Sequence, residues 1–339
     1  MTAPTMRVTT PGGLITAVPY ILGFRPTESL VAITLKDRRV GLTSRMDLPV
    51  PAEIERAVAS LVPPLLGDGP EEVILIAYTD TDPTALLDQM GGAVSATGVS
   101  VRDRLVVSQD RWRSIDCTDP VCCPPEGTPL EGDDETAAVA SEFVGHGVAP
   151  LPDRAALTAQ LEPGPAAERV ARLLARPRPS GLPHPRIAAA IWRRLLDPSP
   201  EAAEIATQDA SWAARMLRDL GVRDGICAWL TSDTLQPEDL PPHARVLLSH
   251  LGDPPDRTSE RNAAEQAQRL RTRLIQLCAL LPDSDAAPAL TVLAAHSWWR
   301  GDGALARVAL DRALRCEPDY RLALLLHLLL SEGIAAPSR

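Results

Sequence analysis

The sequence predicts an α/β N-terminal domain, a three-layer sandwich with a mixed sheet, followed by an all-α C-terminal domain with helix hairpins of tetratricopeptide-like type. Three observations carry this expectation. Strand-length apolar runs stand only before Asp110, where they alternate with helical patterns. One of them, Val73 to Tyr78 (VILIAY), is apolar throughout, the mark of a strand covered on both faces. From Thr136 onward helical periodicity recurs to the C-terminus with no convincing strand. A chain of 339 residues is long for a single core, so two domains are expected. They are placed at residues 1–150, carrying a Cys/Pro-rich loop at 110–130, and at residues 151–339.

Taken in order, Thr10 followed by Pro11 reads as an N-cap and first helical position. Leu14, Ile15, Val18, Ile21 and Leu22 then recur at helical spacing until Gly23. Ser29 to Leu35 and Val40 to Leu48, separated by the polar KDRR, read as two strands of a hairpin. Ile54, Val58, Leu61 and Val62 share one helical face, with Pro63 and Pro64 expected to shorten or distort the helix end. The strand Val73 to Tyr78, a helix over 83–97 and a strand over 99–108 complete the order β, β, α, β, α, β, which requires some parallel pairing.

Further helices are expected near 136–145, 153–161, 165–176, 184–196, 200–220, 241–251, 260–281, 286–299, 303–315 and 319–331. In the longest, Leu270, Leu274, Leu277 and Leu281 form a seam flanked by Arg269, Arg271 and Arg273, which are expected to face outward. Trp298 to Pro318 together with the apolar helix that follows resembles one and a half tetratricopeptide repeats, but no period of ~34 residues extends upstream, so a pair of helix hairpins is the better reading. Leu322 to Leu330 (LALLLHLLL) is apolar on nearly every side, which predicts a buried helix or one that caps against a partner.

Composition excludes several classes. The net charge of −10 is shared by both halves, which argues against a nucleic-acid or anionic-membrane surface. Lys36 is the only lysine, so a Schiff-base, Walker-type or kinase-type lysine would have to be this residue, which stands at a solvated strand end. No apolar run reaches the ~18 residues of a membrane span. The stretch Leu14 to Phe24 is broken by Pro19 and lacks a small-residue cleavage site, so no signal peptide is expected. Cytoplasmic localisation and reduced thiols follow as expectations, since six cysteines in this length make no secreted disulfide framework.

The candidate chemistry gathers around the loop at 110–130. Cys117, Cys122 and Cys123 offer soft thiolate donors, but a closed structural zinc site needs four ligands and no second cysteine knuckle exists. Asp116, Asp119 or His146 would have to complete the set in space. A disulfide from Cys117 and three unligated thiols packed in a proline-stiffened loop are the competing readings; no cofactor is expected, zinc being the one candidate. A nucleophilic cysteine would need a base, yet the nearest histidines, His146 and His184, stand in no cysteine-hydrolase context. Arg111, Trp112 and Arg113 offer guanidinium donors and a stacking ring, against the simpler reading that the arginines pair with Asp110 and Asp116. Asp47, Tyr78, Asp80, Asp82 and Arg111 fall at strand ends, where open α/β sheets bind ligands, so they are candidates for one crevice.

Two motifs are set aside. Gly301 to Ala306 matches a dinucleotide-binding glycine pattern but follows a helix, and Asp80-Thr81-Asp82 starts like a calcium loop but runs into Pro83, a helix start.

The runs Thr10 to Phe24 (TPGGLITAVPYILGF), Glu28 to Val31 (ESLV) and Arg45 to Pro49 (RMDLP) stand with Arg111-Trp112 ahead of Cys117, Asp119-Pro120, Cys122-Cys123-Pro124 and Glu126 to Pro129. Together they resemble the domain of unknown function 4192 family of actinobacterial proteins, an origin that the arginine-heavy, lysine-poor composition fits. The resemblance covers most of the chain and implies no particular reaction.

Three functions are carried forward. The leading one is a cytoplasmic binding or regulatory protein with a ligand or partner crevice in the α/β domain and partner contact or self-association through the C-terminal helices. The alternatives are a hydrolase or transferase acting on a small anionic substrate through Asp47, Asp80, Arg111 and Cys117, and a protein with a structural cysteine-ligated metal site.

Overall fold

The computed structural model describes residues 6–67, 69–132, 134–145, 147–177, 181–232, 234–253 and 261–336, with backbone alone for 261–264. The chain divides into two compact units, one running through Arg154 and including Leu329–Ala335, the other Ala155–Leu328.

The N-terminal unit is built on a mixed six-stranded sheet of order β2-β1-β3-β4-β5-β6. Its strands are β1 (Ser29–Lys36), β2 (Arg39–Asp47), β3 (Glu72–Tyr78), β4 (Ser100–Ser108), β5 (Arg111–Ser114) and β6 (Thr128–Pro129). Only β3 and β4 pair in parallel; the other neighbours are antiparallel. The parallel pair is joined through α3 (Thr84–Ser95), the crossover that parallel pairing requires. VILIAY is buried along its whole length, as a strand covered on both faces must be. Two strands escaped the sequence reading: β5 and β6 form within the cysteine loop, so the loop extends the sheet edge instead of merely leaving it.

Alternate residues on one sheet face, Leu30, Ala32, Val73, Leu75, Ala77 and Val106, pack with α3 and α2 (Ile54–Leu65) into one core. Pro63 and Pro64 lie inside α2, which runs on to Leu65 despite them. On the opposite face α1 (Pro11–Leu22) is capped by Thr10, whose side chain accepts from the Gly13 amide at 3.1 Å. It approaches β5 so closely that a methyl on Gly12 would stand 3.3 Å from Trp112 Nε1. Glu135, in the first turn of α4 (Asp134–Gly145), accepts from the Thr9 and Thr10 amides at 2.6 and 3.0 Å and ties the two helices together.

The regular elements described in the second unit are helices: α5 (Arg154–Ala159), α6 (Ala167–Leu174), α7 (Pro185–Leu195), α8 (Thr207–Leu217), α9 (Leu220–Leu230), α10 (Pro242–Leu248), α11 (Arg261–Leu280), α12 (Asp283–Trp299), α13 (Gly303–Cys316) and α14 (Arg321–Ser331). Helix α12 is apolar all round and buried almost throughout, and it pairs with α13 across the Arg300–Asp302 turn as a hairpin. Asp302 caps α13 by accepting from the Leu305 amide at 3.1 Å, so the glycine pattern at 301–306 is a helix turn.

Three expectations change. Helix α9 falls between the helices expected near 200–220 and 241–251 and corresponds to neither. Arg273 does not face outward: it is buried and donates to the carbonyls of Leu195, Ala203 and Arg194 at 3.0, 2.7 and 2.6 Å. Helix α14 buries Ala323 and Leu326 but leaves Leu324, Leu325 and Leu328 about half exposed, at 46%, 53% and 57%.

Candidate functional site

Beyond the carboxyl ends of the parallel pair β3–β4 lies a cleft of about 670 Å³, the position at which open α/β sheets bind ligands. Tyr78, Thr79 and Asp80 reach it from the end of β3, and Ser108, Gln109 and Asp110 from the end of β4. The walls come from α1, the segment Arg25–Glu28, residues 130–132 and the start of α4.

The local chemistry is strongly ordered. Thr79 Oγ1 donates to Glu28 Oε2 at 2.9 Å and accepts from the Thr81 amide at 3.1 Å. Ser108 Oγ donates to Asp80 Oδ1 at 2.5 Å. The β4–β5 hairpin turns on two residues, Gln109 and Asp110, at φ of 49° and 58°, a left-handed conformation that costs a side-chain-bearing residue about 1 kcal/mol or more. Glu28 is held at φ 41°. Of the five such non-glycine residues described, Glu28, Gln109 and Asp110 line the cleft, whereas Asp37 and Arg38 form the β1–β2 turn.

Tyr78 is the chemical anomaly. It is buried, it lines the cleft, and its hydroxyl has no hydrogen-bond partner. Burial raises its phenol pKa far above the ordinary range, so it remains a neutral donor. An unsatisfied buried hydroxyl costs about 1–3 kcal/mol. Around it Glu28, Asp80, Asp110 and Glu131 supply four carboxylates against the single guanidinium of Arg25.

A second cluster stands in the loop between β5 and β6. The sulfurs of Cys117, Cys122 and Cys123 lie within 4.8 Å of one another. None of the six cysteines is bridged. Hydrogen bonding to Cys117, reinforced by the charges of Cys117 and Cys123, pushes the exposed Cys122 thiol up to about 11. Arg111 donates from Nε to the Glu126 carbonyl at 2.7 Å and from a terminal nitrogen to the Gly127 carbonyl at 2.6 Å, fastening the loop to β5.

The residues singled out from sequence thus separate. Asp80 lines the cleft with Tyr78. Asp47 is exposed at the end of edge strand β2, paired with Arg45 at 2.7 Å. Arg111 binds loop carbonyls instead of Asp110, Trp112 lies against Gly12, and Arg113 lends its charge towards Asp82. Asp82 accepts from the Thr84 amide and hydroxyl at 3.0 and 2.6 Å, as a helix start would. Asp116 is held by Arg104, which also binds Asp88, and Asp119 accepts from the Val121 amide at 2.9 Å. His184 accepts from the Arg186 amide at the start of α7, and His146 lies outside the described residues.

Sequence reasoning missed Glu28, Gln109, Asp110 and Glu131. The available signal was positional: each is polar and lies next to a strand end or just beyond the cysteine loop, and Glu28 belongs to the ESLV run.

The family model described as Domain of unknown function (DUF4192) matches residues 11–336, so the chain belongs to that family. No curated protein and no solved structure matches it.

Proposed function

We propose that this member of the family is a cytoplasmic binding or regulatory protein. Its N-terminal unit takes a small cationic or neutral polyhydroxylated molecule in the cleft, and its helical unit docks a protein partner or a second copy of the chain. The observation that carries the reading is the cleft beyond the ends of β3 and β4, lined by the carboxylates of Glu28, Asp80, Asp110 and Glu131 and by the buried Tyr78. Four carboxylates against one arginine favour a cation or a polyol over the small anionic substrate of the enzyme alternative. The half-exposed Leu324, Leu325 and Leu328 of α14 support the docking role. No helix among the described residues is long and apolar enough to cross a membrane.

Thermal unfolding of the full chain against panels of polyamines, sugars and polyols, and phosphorylated compounds tests the cleft. A compound of the first two panels is expected to raise the midpoint, with the rise lost in Asp80→Asn and reduced in Tyr78→Phe. Without ligand, Tyr78→Phe should be more stable than the parent by about 1 kcal/mol, because the unsatisfied donor is gone. A response confined to the phosphorylated panel, or one that both variants retain, would sink the reading.

A further inference from the structure

We propose that Cys117, Cys122 and Cys123 form a three-thiolate site for one zinc ion, whose fourth coordination position no described residue fills. The carrying observation is the convergence of three sulfurs, all within 4.8 Å of one another, from positions five and six residues apart in the chain. A Zn–S bond of about 2.3 Å places sulfurs of a tetrahedral site roughly 3.8 Å apart, so the set needs to contract by no more than about 1 Å.

The backbone that presents the thiols is fixed on both sides. Ahead of Cys117, the Ile115 amide donates to the Arg104 carbonyl at 2.9 Å and the Asp116 side chain is held by Arg104. After it, the Cys123 amide donates to the Asp119 carbonyl and the Gly127 amide to the Pro124 carbonyl, both at 2.8 Å. Gly127, at φ 79°, is packed so closely that a methyl there would stand 3.2 Å from the Trp112 carbonyl oxygen. Three thiols converging in a loop anchored this way are preorganised donors.

The donor set selects the ion. Calcium and magnesium take oxygen ligands, and iron–sulfur clusters take four cysteines. Asp116 and Asp119, the carboxylates that could have closed the site, are engaged elsewhere and lie outside the converging group. Three protein ligands with an open fourth position is the arrangement zinc accepts outside closed structural sites. Binding releases the three thiol protons and leaves sulfur oxidation states unchanged; the ion then clips the end of β5 to the Cys122–Cys123 pair.

Full-length protein, reduced and metal-free, is titrated with cobalt(II) and then with zinc. One ion per chain is expected, with a sulfur-to-cobalt charge-transfer band that zinc displaces. The band should be lost in the triple variant Cys117→Ser, Cys122→Ser, Cys123→Ser and kept in Cys316→Ser. Alkylation mapped by mass spectrometry on the parent chain gives a readout that needs no variant: zinc is expected to protect Cys117, Cys122 and Cys123 and leave Cys316 reactive. Absence of the band and of protection, a band that survives the triple variant, or binding of monovalent copper without zinc would each overturn the assignment.

Discussion

Arg312 shows how single side chains carry this helical unit. It is 1% exposed, and its guanidinium donates to the carbonyls of Leu161, Cys278 and Leu281 and to Asp283 Oδ1, the last three at 3.1, 3.1 and 2.9 Å. Cys278 and Leu281 stand at the end of α11, where carbonyls lack intrahelical partners and the helix dipole favours a cation. Arg273 does the same at the end of α7, and Arg215 donates to Leu173 and Leu174 at the end of α6 at 3.2 and 2.7 Å. A planar fork with five N–H groups can reach several carbonyls at once, which a lysine cannot, and this gives the arginine-heavy composition a structural use. Removing one such fork leaves several buried acceptors unpaired. Arg312→Ala is therefore expected to cost about 3–5 kcal/mol, seen as a lower urea midpoint at unchanged slope. Arg312→Lys should recover only part of that loss. A cost below about 1 kcal/mol for the alanine variant would show that the carbonyls find other partners.

At the scale of elements, α9 is the instructive case because its sequence, LGVRDGICAWL, contains two glycines and reads poorly as a helix. Both glycines are spent on packing. A methyl on Gly221 would stand 2.4 Å from Pro241 Cγ and 2.8 Å from His243 Nε2, and one on Gly225 3.4 Å from Ala244 Cβ, so α9 and α10 meet closely along this line. Asp219 then caps α9 through the Val222 amide at 2.9 Å and binds His243 from α10 at the same distance. Gly221→Ala gains helix propensity of about 1 kcal/mol but must displace a proline ring. A net destabilisation of about 1–3 kcal/mol is expected by denaturant unfolding, and a stabilised variant would refute the packing account. What could be read beforehand follows the same logic. Local periodicity placed β1 to β4, α1 to α3 and the Leu270–Leu281 seam, because each is set by which residues recur on one face. The short strands β5 and β6, the inward Arg273 and the Glu28–Gln109–Asp110 part of the cleft depend on what the rest of the fold brings near them, and no local pattern encodes that. Residue type and chain position single out Asp80 and the three thiols beforehand; the fold then puts Asp80 on the cleft and the three sulfurs within 4.8 Å of one another, whereas Asp47, chosen on the same strand-end ground, pairs with Arg45 away from it.

For the whole molecule, the clearest consequence is how stability should depend on pH. His296, on the central helix α12, is buried, and its Nδ1 lies 3.2 Å from the Leu230 carbonyl, the geometry of a neutral ring donating from that nitrogen. Desolvation lowers its pKa from 6.5 to about 4, with the Arg300 charge acting in the same direction and the Leu230 bond and Asp302 acting against it. The unfolded chain therefore binds this proton at a higher pH than the folded one, and stability rises with pH wherever that difference exists. The contribution is complete above pH 6.5, falls as pH drops towards about 4, and is flat below that; the gap corresponds to on the order of 3 kcal/mol. His327, also lowered by burial and by Arg307, adds to the slope in the same direction. Asp283, held low by its bond to Arg312, gives up its contribution only at still lower pH as its carboxylate protonates, so the two processes separate along the pH axis. His296→Asn keeps an N–H for the Leu230 carbonyl but cannot titrate. Urea unfolding from pH 7.5 to 4 should show the parent losing stability steeply below pH 6.5 and the variant losing distinctly less, and parallel profiles for the two would mean that His296 is not the group responsible.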